Sequence, residues 1–149
     1  LRTAEDAAAL VEGVKDGTVD AIATDHAPHT HYEKNCEFEL APFGMTGLET
    51  SLALVITHLV APDIISWERA VELMSAKPRE ILRVERVALE PGAVADLTVI
   101  DPDAAWTVDA ADFLSKAVNS GFIGAELTGR ATDVYVGGYA TMENGVVVE

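Results

Sequence analysis

The sequence predicts an α/β protein in two parts: a strand–helix part over residues 1–88 and a smaller β-rich part over residues 89–149. Three observations carry this. An apolar run at residues 19–24 lies between stretches with helical spacing. Those helical stretches fill the first part up to about residue 82. After Pro91-Gly92 the texture changes to short strand-like runs broken by turns.

The elements follow in order. Thr3 with Asp6 forms an approximate capping box, Ala7, Leu10, Val11 and Val14 recur at helical spacing, and Gly17 stops that helix. Residues 19–24 read as a strand buried on both faces. A loop then runs to about Met45. Thr46 and Glu49 form a second capping pattern, ahead of Leu48, Leu52, Val55, Ile56 and Leu59 on one helical face, with Pro62 closing the helix. Ser66 caps a further helix carrying Trp67, Ala70, Val71 and Met74. Pro78 suits the first turn of a short helix through Leu82. In the β-rich part, VADLTVIDP and AWTVDA are strand-like, and the last nineteen residues hold two or three strands, with Asn144-Gly145 as a hairpin turn.

The chain has 149 residues, of which 49% are hydrophobic, enough to bury a core. Its formal charge of −15 argues against nucleic acid or an anionic membrane as partner, since both require a basic face. A local pocket can still oppose that charge and take a small anion. The single cysteine, Cys36, cannot form an internal disulfide, which suits a reducing, cytoplasmic setting. No apolar run reaches the ~18 residues of a membrane span. The chain opens at Leu1 and moves straight into a helix, which reads as a piece of a longer chain.

All but one of the four histidines fall in residues 26–31, beside Asp25, at the end of the expected strand. Reactive groups of parallel α/β folds sit where strands end, on rigid backbone under open loops. Asp25 there can bind a metal, act as a base, or do both. It can equally cap or turn the chain. His26 and His29 are candidate metal ligands, substrate donors or orienting groups, or ordinary histidines. His31 and His58 carry no such signal, and Cys36 reads as a packing or loop residue. In APFGMTG, Gly44 and Gly47 allow close backbone approach and can aim N–H groups at an anion, or are plain loop glycines beside a core Phe43.

DAIATDHAPH, CEFELAPFGMTGLE, KPREIL, GAVADLTVIDP, WTV and FIGAELTGR, in this order, resemble the C-terminal third of dihydroorotases of the bacterial type, within the amidohydrolase superfamily. SKAVNSGF departs from that family's Ser-Lys-x-x-Asn-Thr-Pro-Phe pattern. The resemblance implies the last strand and helices of a (β/α)8 metal-dependent hydrolase barrel over residues 1–88, and part of a small β-sandwich domain over residues 89–149. It implies that Asp25 is a zinc ligand and the catalytic acid/base, that His29 binds substrate, and that the backbone at Phe43 and Gly44 binds it too. His26 stays an orienting candidate.

The implied reaction is the reversible zinc-dependent cyclisation of N-carbamoyl-L-aspartate to L-dihydroorotate in pyrimidine synthesis. The implied cofactor is one or two zinc ions, most of whose ligands lie outside these residues. The implied partners are the small-molecule substrate, the rest of the enzyme chain, and a second copy or aspartate carbamoyltransferase. Two rival readings remain: a non-catalytic relative that serves as a structural partner, and a hydantoinase- or allantoinase-type cyclic amidohydrolase.

Overall fold

The computed structural model describes residues 3–148. Helix α1 (Ala4–Asp16) forms as expected. The Thr3 hydroxyl accepts the Asp6 N–H, the Asp6 carboxylate accepts the Thr3 N–H, and Gly17 ends the helix in the left-handed region at φ 89°. Of its apolar positions only Val14 is buried.

Residues 19–24 do not form a strand. The segment is open, with Val19 N–H bonded to Gly13 O and Ile22 N–H to Leu73 O. A strand needs a ladder partner, and among the described residues none runs beside this segment. Strand-like pairing is confined to one parallel bridge between His26 and Met45, with Ala27 N–H bonded to Met45 O.

A short helix α2 (His31–Lys34) lies in the stretch expected to be loop. Thr30 and Glu33 close a capping box on it. The Thr46/Glu49 cap does not form. The Thr46 N–H goes to Asn119 O and the Glu49 carboxylate turns to Ser115, so the half of the box that joins those two groups is taken, and the Thr46 hydroxyl stays without a partner among the described residues. Helix α3 starts later, at Ser51–Val55, and continues as a wide π-turn over Ile56–Val60 before Pro62.

Helix α4 (Trp67–Val71) is capped by Ser66, whose hydroxyl accepts the Arg69 N–H. It runs on through a π-turn at Glu72–Ala76 into α5 (Lys77–Leu82). Pro78 has no N–H for a regular turn, and just before it the Lys77 N–H reaches Glu72 O, five residues back. The two helices expected here are therefore continuous.

Four strands form one sheet in the order β1 (Leu97–Thr107), β2 (Glu126–Val136), β3 (Tyr139–Glu143), β4 (Val146–Val147). The two strand-like runs read around Pro102 are a single strand. β1 is an edge strand, and an edge tolerates a residue that cannot donate to the ladder. β2 and β3 pair antiparallel across Gly137-Gly138, with a bulge at Val134/Tyr135. β3 and β4 pair across Asn144-Gly145, both at positive φ, as a type I′ turn requires.

The chain divides into two compact units. One comprises Leu1–Ala23, His58–Asp101 and Ala131–Glu149, and its buried apolar residues include Val14, Val60, Ile65, Ala70 and Leu73. The other comprises Thr24–Thr57 and Pro102–Arg130, with Ala53, Val108 and Leu127 at its core and Leu54, Trp106, Phe113 and Phe122 packed around them. In that second unit Gly129 lies against Ile56. A Cβ there would stand 2.4 Å from Ile56 Cδ1, so only glycine fits. All the candidate site residues read from the sequence lie in this second unit.

Candidate functional site

Asp25 adopts φ 45°, a left-handed conformation that aspartate tolerates better than most residues. Its side chain is exposed, and among the described residues it forms no hydrogen bond or ion pair. It caps no helix. An unpaired carboxylate on strained backbone is the kind of group that functional sites keep.

The backbone on either side of Asp25 is tightly held. Gly47 packs on Thr24, where an added Cβ would lie 3.1 Å from Thr24 O and 3.2 Å from Thr24 Cβ. Gly44, at φ 106°, packs on Ala27 so closely that an added Cβ would stand 2.5 Å from Ala27 Cβ. The glycines of the loop are thus required by close approach to the Asp25–His29 segment.

His26 links the two segments. Its Nδ1 accepts the N–H groups of Gly47 (3.1 Å) and Leu48 (3.3 Å). That leaves the ring proton on Nε2, which faces Ser115 Oγ at 3.5 Å. The Ser115 hydroxyl and N–H both donate to Glu49 Oε1. Burial pushes the Glu49 carboxyl up, but the two Ser115 hydrogen bonds, together with its own backbone and the nearby His26, hold it below the usual carboxylate value. The other oxygen, Oε2, and the hydroxyls of Thr46 and Thr50 are buried without a partner among the described residues.

His29, Phe43 and Gly44 lie together. His29 Nε2 lies 2.9 Å from Phe43 O, and because a carbonyl only accepts, Nε2 carries the proton. Nδ1 lies 3.8 Å from Glu33 Oε2. The Thr30 N–H and hydroxyl hold the Glu33 carboxyl low. The Phe43 ring is 98% exposed, which removes the reading of Phe43 as a core residue. His31 and His58 are exposed, and Cys36 donates to Glu33 O in the same loop.

Asn119 is one residue the sequence reading missed. Its Oδ1 accepts the His29 N–H (2.9 Å), its Nδ2 donates to Ala27 O (3.1 Å) and to Gly44 O (3.4 Å), and its carbonyl accepts the Thr46 N–H (3.1 Å). Ser115 and Asn119 are two of the positions that SKAVNSGF retains from the family pattern, and that was the available signal. For α2 the signal was Thr30-x-x-Glu33, a capping box in plain sequence. Lys34 had none.

The Asp25 carboxylate is an oxygen donor of the kind zinc accepts. Among the described residues, however, no group of three or more histidine, cysteine, aspartate or glutamate side chains could hold one. Zinc wants about four ligands, so Asp25 fits as one member of a larger set. Among the described residues no helix is long and apolar enough to cross a membrane.

A family model described as the amidohydrolase family matches residues 1–141. The chain is 50% identical over 135 residues to a dihydroorotase of Chlorobaculum tepidum, covering 91% of this chain and 31% of that protein. It is 44% identical over 149 residues to a dihydroorotase of Bacillus subtilis, covering 100% of this chain and 35% of the relative. The structure is similar to that of L-hydantoinase (dihydropyrimidinase) from Arthrobacter aurescens, with a TM-score of 0.91 at 33% identity over 99% of this chain and 34% of that one. The chain therefore spans about a third of the length of the curated relatives it matches.

Proposed function

The chain belongs to the amidohydrolase family, as a C-terminal part of its (β/α)8 hydrolase barrel with strands of the small β-rich domain, and from that premise we propose that it serves a dihydroorotase. The whole enzyme is a cyclic amide hydrolase acting on a carbon–nitrogen bond. Its reaction is the interconversion of L-dihydroorotate and N-carbamoyl-L-aspartate, in the cytoplasm, for pyrimidine synthesis. The dihydroorotase relatives at 44–50% identity support this substrate. The observation that carries the reading is the joining of His29, Phe43 and Gly44 into one surface, next to an unpaired Asp25.

Asp25 would hold zinc together with ligands from outside these 149 residues. Bound zinc supplies a Lewis acid that brings water near its nucleophilic form at neutral pH. The Asp25 carboxylate takes the proton from the attacking water and delivers it to the ring nitrogen that leaves. An aspartate without an internal partner is free to do both. His29, its Nε2 on Phe43 O and its Nδ1 beside Glu33, would meet substrate next to the loop it holds. The N–H groups of Phe43 and Gly44, which no backbone bond among the described residues uses, recognise its carboxylate and ring oxygens. Residues 1–88 supply barrel elements to this site, and residues 89–149 contribute strands of the small domain together with Ser115 and Asn119, which hold the site's loop. The rest of the enzyme chain is the obligatory partner.

A hydantoinase-type reaction is the second reading, favoured by the likeness to L-hydantoinase. One assay separates them. The full-length zinc enzyme is given L-dihydroorotate, N-carbamoyl-L-aspartate, a 5-substituted hydantoin and dihydrouracil. We expect turnover of the first pair at about 1 s⁻¹ or more, with the isolated 149 residues inactive. Turnover of the hydantoin alone would transfer the assignment to the second reading.

A further inference from the structure

Three successive carbonyls of the loop, those of Pro42, Phe43 and Gly44, all accept from side chains. Lys34 Nζ donates to Pro42 O and to Gly44 O, each at 2.7 Å. His29 Nε2 donates to Phe43 O. Asn119 Nδ2 adds a longer bond to Gly44 O. A peptide plane whose carbonyl points one way presents its neighbouring N–H the other way. With the Pro42 and Phe43 carbonyls drawn to Lys34 and His29, the N–H groups of Phe43 and Gly44 stay unpaired by backbone and face away from those donors, while the Lys34 and Asn119 bonds to Gly44 O anchor the following peptide.

Lys34 is placed for this by its own helix. The Thr30/Glu33 capping box fixes α2, and Lys34 is its last residue. An ammonium has three protons to give, and two of them go to carbonyls at charge-assisted distances. Gly44 cannot move toward Ala27 to compensate for a lost bond, because the contact there is already closed.

We propose that Lys34 is a positioning residue, with Asn119 as its second pin, whose bonds to the loop carbonyls preform the Phe43–Gly44 N–H pair as a recognition site for the substrate's anionic and carbonyl oxygens. This rests on the dihydroorotase reading for its substrate, but the preformed loop itself does not.

The test uses the full-length zinc enzyme with Lys34→Met, Lys34→Arg and Asn119→Ala, and has two readouts. Amide hydrogen exchange over residues 37–48 reports loop order without substrate. Steady-state kinetics with L-dihydroorotate report recognition. Loss of charge-assisted bonds should raise KM about tenfold or more and leave kcat within about threefold, since the N–H pair binds ground state and transition state alike. Exchange should quicken in Lys34→Met and Asn119→Ala, and Lys34→Arg, whose fork can meet both carbonyls, should restore much of both. Unchanged exchange in Lys34→Met and Asn119→Ala would overturn the proposal. A raised KM with unchanged exchange would make Lys34 a direct substrate contact and overturn it too. If the unmodified enzyme ignored dihydroorotate, the substrate reading would fall while the exchange measurement still decided the clamp.

Discussion

Helix α1 and the loop around Gly44 answer the same demand, partners for backbone N–H and C=O groups, at opposite sequence distances. At the start of α1, Thr3 and Asp6 satisfy each other three residues apart, and Gly17 ends the helix with no neighbour near its Cβ position. In the loop, Asn119 reaches back ninety residues to His29 and seventy-five to Gly44, and Ser115 reaches sixty-six to Glu49. The helix is a local solution that would suit many proteins. The loop is a non-local one that exists only when two distant stretches meet. Such a difference assigns stability to one region and chemistry to the other, and substitutions can test that division.

The largest effect should come from Asp25→Asn in the full-length enzyme. The amide is nearly isosteric but cannot take up and hand on the proton and brings no negative charge to a metal. Turnover should fall at least ~10³-fold with the thermal midpoint little changed. A variant keeping a tenth of normal activity would return Asp25 to the role of a turn residue.

Next in size is Gly44→Ala. Its Cβ meets Ala27 at 2.5 Å on backbone at φ 106°, so the loop must shift. A displacement of about 1 Å beside a reaction centre costs on the order of 10²-fold in kcat/KM. The matched control is Gly17→Ala, also at positive φ but in open space. It should lower stability by about 1 kcal/mol and leave kcat/KM alone. Equal kinetic losses in both would erase the distinction between the regions.

Glu49→Gln probes the Ser115 link by pH. Folding holds the Glu49 carboxyl lower than the unfolded chain does. Its stabilisation is therefore complete above the unfolded carboxylate value and is lost as pH falls through the lower folded value. The variant should lose roughly 1 kcal/mol at neutral pH and show a flatter acid limb, read by urea denaturation at several pH values. An unaltered acid limb would remove Glu49 from the structural account of the site.

The smallest effect should be Thr3→Ala. It removes one cap bond, worth about 1 kcal/mol, and in a chain of this enzyme's size should move the thermal midpoint by about 2 °C. KM for dihydroorotate should not move. A KM shift would mean that α1 has a part in the site.

Legibility in the sequence followed the same division. The α1 cap, the Ser66 cap, the glycine stop at Gly17 and the Asn144-Gly145 hairpin are each written in four or five neighbouring residues, and each forms. The Thr46/Glu49 cap is written just as clearly and does not form. Asn119 O and the Ser115 donors, both remote in sequence, take its N–H and its carboxylate. Residues 19–24 have strand composition, but strand pairing is a relation between two segments, and one segment cannot specify it.

The sequence by itself determined that this is an acidic α/β chain of the amidohydrolase family, that its chemistry-bearing groups cluster at residues 25–29 and 43–44, and where its locally capped helices and hairpins begin and end. Local hydrogen bonds and turn preferences involve few residues and leave their signature in a short window. Only the tertiary structure decided that His26 accepts from Gly47 and Leu48, that Lys34 and Asn119 hold the loop carbonyls, and that Glu49 serves Ser115 rather than a helix end. Each of those donors could have satisfied several acceptors. The choice among them fell to whichever partner the packed chain brought within about 3 Å.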